Sequence, residues 1–318
     1  GFATALIIAL AATFVSEHYG GPQVLYALLF GIAFNFLALD PKARPGIEFA
    51  ARTVLRIGVA LLGARITLEQ IAALGVGPVT LVVAAVLCTI AFGAWAARLL
   101  ERPLAEGVLT GGAVAICGAS AALAIAAVLP RAERSSQFTL LTVVGVTALS
   151  TVAMIVYPVL VTLLHFDASA AGVFLGGTIH DVAQVVGAGY MISSQTGDRA
   201  TFVKLLRVAM LVPVVLILSL LWRARGAAPR ARAPLLPWFL VVFVALVGVN
   251  SAGWVPSQTG AWLSGLSRWC LVAAIAALGV KTSFGDLAAL GWRPVALLMS
   301  ETVFLAVLVG AGLVLLRA

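Results

Sequence analysis

The sequence predicts an all-α polytopic membrane protein with about eleven membrane segments, inverted repeats and two broken or re-entrant helical elements. Charged residues fill only 10% of 318 positions and hydrophobic ones 62%, where a soluble domain has roughly 25% charged. A soluble globule of this size would leave too much apolar surface in water. The apolar residues fall in runs near the roughly 20 residues that a span requires. Two of these runs carry glycine pairs and polar groups at mid-depth, and two helix ends resemble each other.

Bounded by charge, Pro or Gly, the runs lie near 2–18, 22–39, 47–66, 76–98, 104–129, 136–164, 169–193, 200–222, 236–252, 260–281 and 291–316, numbered here one to eleven. In lipid each must be helical, because no water satisfies exposed backbone groups. Phe2 to Val15 has no basic leader and reads as a span rather than a signal peptide. No soluble domain fits between the runs, so 1–318 reads as one transmembrane domain.

The net charge of +8 does not indicate a nucleic-acid partner, since the basic residues sit singly in short gaps without an aromatic-interleaved face. Cys88, Cys117 and Cys270 lie inside apolar runs, odd in number and without ligand spacing, so neither a disulfide framework nor a zinc site is expected. If all eleven runs cross, Lys42, Arg44, Arg98, Arg102, Arg223, Arg225, Arg230, Arg232, Lys281 and Arg293 share one side, with chiefly Arg131, Arg134, Arg199 and Arg317 on the other. The positive-inside rule makes the first side cytoplasmic, with the amino end inside and the carboxyl end outside. Hairpins at segments five and seven would bring Arg131 and Arg134 inside too.

Leu61 to Val79 aligns without gaps on Ala277 to Val295. Leu62, Gly63, Ala72, Ala73, Leu74, Gly75, Pro78 and Val79 meet identical residues, Arg65 meets Lys281 and Thr67 meets Ser283. The copies end segments three and ten, an odd number of crossings apart, so they run oppositely, as repeats in secondary transporters do.

Segment five contains Gly111, Gly112, Cys117, Gly118, Ala119 and Ser120. Glycine weakens a helix interior by about 1 kcal/mol relative to Ala, and loose backbone at depth must be buried or line a cavity. A break at Cys117 to Ser120 leaves the next half-helix with free N–H groups and a positive dipole end, an anion site without a charged side chain. Close packing through small residues is the alternative. Segment seven opens on Gly176 and Gly177 and then places Thr178, His180, Asp181 and Gln184 in an apolar run. Ionisable groups at this depth mark substrate or proton paths, and His titrates near neutral pH; an interhelical structural pair is the alternative.

Arg56 and Arg207 are candidates for charge compensation and Glu301 is a candidate proton site. Snorkelling to the interface is the default for Arg52, Arg56, Lys204 and Arg207. Asn35 and Asn250 end segments two and nine and read as caps. The Gly107/Gly111 and Gly172/Gly176 spacings allow close helix contacts, internal or in a homodimer.

ICGASA in segment five and IHDVAQVV in segment seven, with LLGARIT, KLLRVAMLVPV, PWF and ALGVKTSF, resemble the YeiH family of proposed sulfate exporters over nearly the whole chain. The resemblance implies a place among cation:proton antiporters and anion transporters, with broken helices crossing near the centre, a core bundle and a scaffold bundle. It places Gly111, Gly112, Cys117, Gly118, Ala119 and Ser120 on one side of a substrate site and Thr178, His180, Asp181 and Gln184 on the other. The breaks fall in segments that the 61–79 and 277–295 repeat does not pair, a departure from simple five-plus-five symmetry.

The expected function is therefore secondary export of a small anion, sulfate or sulfite by resemblance, across the bacterial inner membrane, coupled to protons through Asp181 or His180. No ATP motif, cofactor or metal site is visible. A passive anion channel is the alternative, and an intramembrane enzyme with Cys117 and His180 as nucleophile and base is a more remote one.

Overall fold

The structure, a computed structural model, describes residues 1–19, 23–64, 66–72, 75–130, 135–223, 238–281 and 292–317, and among them all regular structure is helical. Arg65, Ala73, Leu74, most of the second repeat copy (282–291), Arg131, Arg134 and the loop arginines of 224–237 lie outside the described residues.

In chain order the helices are α1 (Phe2–Tyr19), α2 (Gln23–Ala33), α3 (Arg44–Phe49), α4 (Leu55–Leu62), α5 (Leu68–Ala72), α6 (Val76–Leu99), α7 (Leu104–Ala115), α8 (Ala119–Ala126), α9 (Ser135–Leu163), α10 (Ala168–Thr178), α11 (Val182–Ile192), α12 (Ser194–Ala209), α13 (Leu211–Arg223), α14 (Trp238–Ser251), α15 (Ser257–Lys281) and α16 (Trp292–Arg317). A 3-10 turn (Asn35–Leu39) follows α2, and a wider π turn (Ala50–Val54) joins α3 to α4.

The expected count of about eleven crossing segments is corrected. Among the described residues, six helices are long and apolar enough to cross a membrane: Phe2–Tyr19, Val76–Leu99, Leu141–Leu163, Ser194–Trp222, Gln258–Lys281 and Trp292–Leu316. Gln23–Ala33, Leu104–Ala115, Ala168–Thr178, Val182–Ile192 and Trp238–Ser251 are apolar but shorter. An apolar run is not a helix length: Asn35 starts a 3-10 turn and both glycine-rich runs are interrupted at mid-length. Segments five and seven are thus broken helices; a re-entrant path is not supported.

Two apolar clusters organise the bundle. One joins α1, α2, α3 and the carboxyl half of α15 through small residues such as Ala9, Ala12, Ala27, Ala50, Ala273 and Ala276. The other, larger cluster gathers the interrupted helices with α4, α6, α9, α12, α13, α14 and α16. The GxxxG spacings serve this interior. A Cβ on Gly107 would lie 2.1 Å from Gly93 O of α6, and one on Gly176 would lie 2.4 Å from Ala200 O of α12, so these glycines let backbones touch within one chain.

The two similar sequences begin at close helix contacts. A Cβ on Gly279 of α15 would lie 2.4 Å from Leu28 O of α2, and one on Gly63, its counterpart after α4, would lie 2.3 Å from Phe243 O of α14. Asn35 donates its amide to Val280 O at 2.8 Å, and Asn250 donates to Ile66 O at 3.2 Å. Glycine thus lets α15 touch α2 and lets the turn after α4 touch α14. Asn35 caps the last turn of α15, whereas Asn250 holds Ile66, which lies between α4 and α5.

Candidate functional site

The two interruptions form because the local sequence cannot continue a helix. α7 ends at Ala115; Ile116 adopts φ −107° and ψ −83°, and Gly118 adopts φ 63° and ψ −124° before α8 starts. That left-handed backbone suits glycine and strains any residue with a Cβ. The Gly118 N–H closes α7 by donating to Ala113 O at 2.8 Å. In the second element Ile179 is extended, with ψ 138°, and Asp181 caps α11 by accepting the Ala183 N–H at 2.9 Å. The breaks touch, since a Cβ on Gly118 would lie 3.7 Å from His180 O.

Two half-helices, α7 and α10, thus end in carbonyls with no intrahelical partner and a negative dipole end. Two cations of α12 satisfy them. Lys204 Nζ donates to Ile116 O at 2.6 Å, to Ile179 O at 3.0 Å and to His180 O. Arg207 donates Nε to Ala115 O at 2.6 Å, Nη2 to Val114 O at 2.8 Å, and Nη1 to Gly176 O at 2.9 Å and Ile179 O at 3.0 Å. Three carbonyl oxygens around Nζ suit the three N–H donors of an ammonium. Both side chains are fully buried, which corrects the snorkelling expectation. Burial succeeds because each cation meets several carbonyl oxygens instead of lipid.

The other groups fall around this knot. His180 is fully buried, with Nδ1 3.2 Å from Val114 O and Nε2 3.0 Å from Thr302 Oγ1. Thr302 donates its one hydroxyl hydrogen to Leu298 O of its own helix at 2.7 Å, so its oxygen faces Nε2 while Nδ1 faces the Val114 carbonyl. Neither ring nitrogen bonds Cys117, itself buried. Thr178 bonds back to Phe174 O at 2.6 Å. The Asp181 N–H donates to Ser150 Oγ at 3.0 Å. Gln184 is fully buried; its Nε2 lies 3.4 Å from Thr151 Oγ1 and its Oε1 has no partner. Gly111 and Gly112 serve packing: Cβ atoms there would meet Thr89 O at 2.9 Å and Ile125 Cδ1 at 2.2 Å.

The two ends of the knot differ in access. On the carboxyl-end side everything is buried, whereas Ser120 is exposed and Ala119, Asp181 and Val182 are half-exposed. α8 begins there on a glycine with no side-chain cap, so the amides of Ala119, Ser120 and Ala121 lack an intrahelical acceptor. Arg56 is exposed, with its guanidinium 5.9 Å from the Phe239 ring centre, and its charge acts on Asp181 together with those of Lys204 and Lys281. Glu301 is fully buried beside α7, 2.6 Å from Thr110 Oγ1. Among the described residues no three His, Cys, Asp or Glu side chains gather where a metal ion could sit.

The sequence reading missed Lys204 as a central group. Its signal was placement: Lys204 and Arg207 share a helix face three residues apart, within the apolar run that leads into α13.

The chain is similar to known membrane proteins over nearly its whole length. Residues 1–298 match a family described as conserved hypothetical protein 698. The chain is 58% identical to a "UPF0324 membrane protein" of Chlorobaculum tepidum, over 97% of this chain and 87% of that one. It is 56% identical to "UPF0324 membrane protein TauZ" of Paracoccus pantotrophus, over 99% and 95%, and 52% identical to a UPF0324 membrane protein of Rhizobium meliloti, over 98% and 92%. No solved structure matches it.

Proposed function

Because the chain belongs to the conserved hypothetical protein 698 family of UPF0324 membrane proteins, which fits the YeiH resemblance, we propose that it is a secondary active transporter of a small anion. Sulfate or sulfite is the substrate, export the direction, and the bacterial inner membrane the location, with the amino end inside and the carboxyl end outside.

The observation that carries this reading is the charge at the crossing. Lys204 and Arg207 place two buried positive charges there, against the single carboxylate of Asp181. Their donors are held by carbonyls, so they set a positive potential without chelating the substrate. An anion is favoured by that potential, and a cation is not. The seat we assign is the open amino end of α8, at the amides of Ala119 and Ser120, while the Ala121 N–H is turned to Cys117; anions bind at helix amino ends.

Asp181 supplies the link to protons. Its carboxylate already holds the amino end of α11 and repels a second anion; a proton on it raises the net positive charge. The charge state of Asp181 thereby links proton binding to anion binding, and the linkage is reciprocal. The test is flux of radiolabelled sulfate and sulfite into proteoliposomes with and without a pH gradient. Saturable flux above that of empty liposomes supports the reading, and none for either anion refutes it. A passive channel would show single-channel currents instead.

A further inference from the structure

Glu301 lies on α16, away from the substrate seat. It is fully buried, its Oε1 is 2.6 Å from Thr110 Oγ1 of α7, and its Oε2 has no hydrogen-bond partner. The carboxyl enters the seam where α6 meets α7: a Cβ on Gly93 would lie 2.4 Å from Oε1 and 2.5 Å from Gly107 O. One turn earlier on α6, the buried Thr89 hydroxyl is likewise without a partner.

Counting hydrogens assigns the proton. The Thr110 hydroxyl has one hydrogen and three oxygens in reach: Glu106 O at 3.0 Å, Gly107 O at 3.3 Å and Glu301 Oε1 at 2.6 Å. If that hydrogen goes to Glu301, a full negative charge sits at membrane depth on one neutral donor, with its other oxygen bare, which burial strongly disfavours. If Thr110 bonds back to its own helix, as helical threonines commonly do, its oxygen accepts from a protonated Glu301. A separation of 2.6 Å is ordinary for O–H···O.

The ionisable groups nearby do not replace that proton. From α7, Glu106 is paired with Arg102 at 2.6 Å, and that pair is only part-buried. From the second break, His180 reaches α16 through Thr302, the next residue after Glu301. Among the described residues no charged side chain of α6, α9 or α10 bonds the carboxyl.

We infer that Glu301 is a proton-binding site of the transport cycle, protonated in this conformation and distinct from Asp181. The inference rests on the transporter reading above. Release of the proton leaves a carboxylate that the one neutral hydroxyl of Thr110 cannot hold in this conformation. Through Thr110 that change acts on α7, which leads into the first break. Through Thr302 and His180 it acts on the second.

Infrared spectroscopy of the membrane-reconstituted protein at neutral pH tests the proton, and flux tests its use. The expected spectrum shows a protonated carboxyl stretch that is lost in Glu301→Gln. In Thr110→Val, which keeps the shape and removes the hydroxyl, the stretch moves to higher frequency. In proteoliposomes the response of sulfate or sulfite flux to a pH gradient is lost in Glu301→Gln. A wild-type spectrum without such a band, or a band unchanged in both variants, overturns the assignment, and an unaltered pH response in Glu301→Gln overturns the coupling. If the wild type moves neither anion, the coupling falls with the transporter reading, while the infrared band still decides whether Glu301 holds the proton.

Discussion

Replacing Lys204 by Met keeps the length of the side chain and removes the donors that hold Ile116 O, Ile179 O and His180 O. Each buried carbonyl left without a partner costs about 1–3 kcal/mol, so the three carbonyls alone total roughly 3–9 kcal/mol. Relief of the buried ammonium offsets part of this. Breaking a buried charge arrangement by removing one member usually nets about 3–5 kcal/mol. At roughly 2–4 °C per kcal/mol for a chain of a few hundred residues, Lys204→Met should lower the melting temperature by on the order of 10 °C. The assay is intrinsic-fluorescence melting in lipid nanodiscs, with Lys42→Met, at an exposed loop position, as the control that leaves melting unchanged. A Lys204→Met protein that melts with the control and transports normally would refute the view that this ammonium holds the two half-helix ends together.

Arg207→Lys should also destabilise, because a single ammonium cannot reproduce a planar fork spanning Ala115 O, Val114 O, Gly176 O and Ile179 O; melting similar to wild type would contradict this. Gly118→Ala places a Cβ at φ 63° and should cost about 1–3 kcal/mol, read as a lower melting temperature together with reduced flux. Asn35→Ala and Asn250→Ala should each cost about 1 kcal/mol and add in the double variant, since the two bonds lie in separate repeat contacts. Asp181→Asn should remove the dependence of anion flux on a pH gradient, and a wild-type response in that variant would end its proton role.

How much of this was legible in the sequence depended on whether the signal sat in side chains. Gly111 to Ser120 and Thr178 to Gln184 announced two broken elements, because glycine and polar groups are costly in a lipid-depth helix and the structure interrupts both there. The partners of Lys204 and Arg207 are backbone carbonyls, which leave no mark on sequence, so those two residues read as interfacial. Arg56 looked equivalent to Arg207 by spacing alone, yet it is exposed over Phe239. Asn35 and Asn250 read as caps of their own segments, whereas their bonds to Val280 O and Ile66 O required the packed chain. The count of spans was overestimated because an apolar run says nothing about where a 3-10 turn or a break divides it.

The central claim is that an anion sits at the open amino end of α8 beneath two carbonyl-bound cations. Anomalous diffraction from crystals soaked in selenate, which has the shape and charge of sulfate, locates it directly. The account predicts a peak within hydrogen-bond reach of the Ala119 and Ser120 amides, weakened in Gly118→Ala. Selenate found only at exposed arginines such as Arg56, or nowhere in the protein, would contradict it.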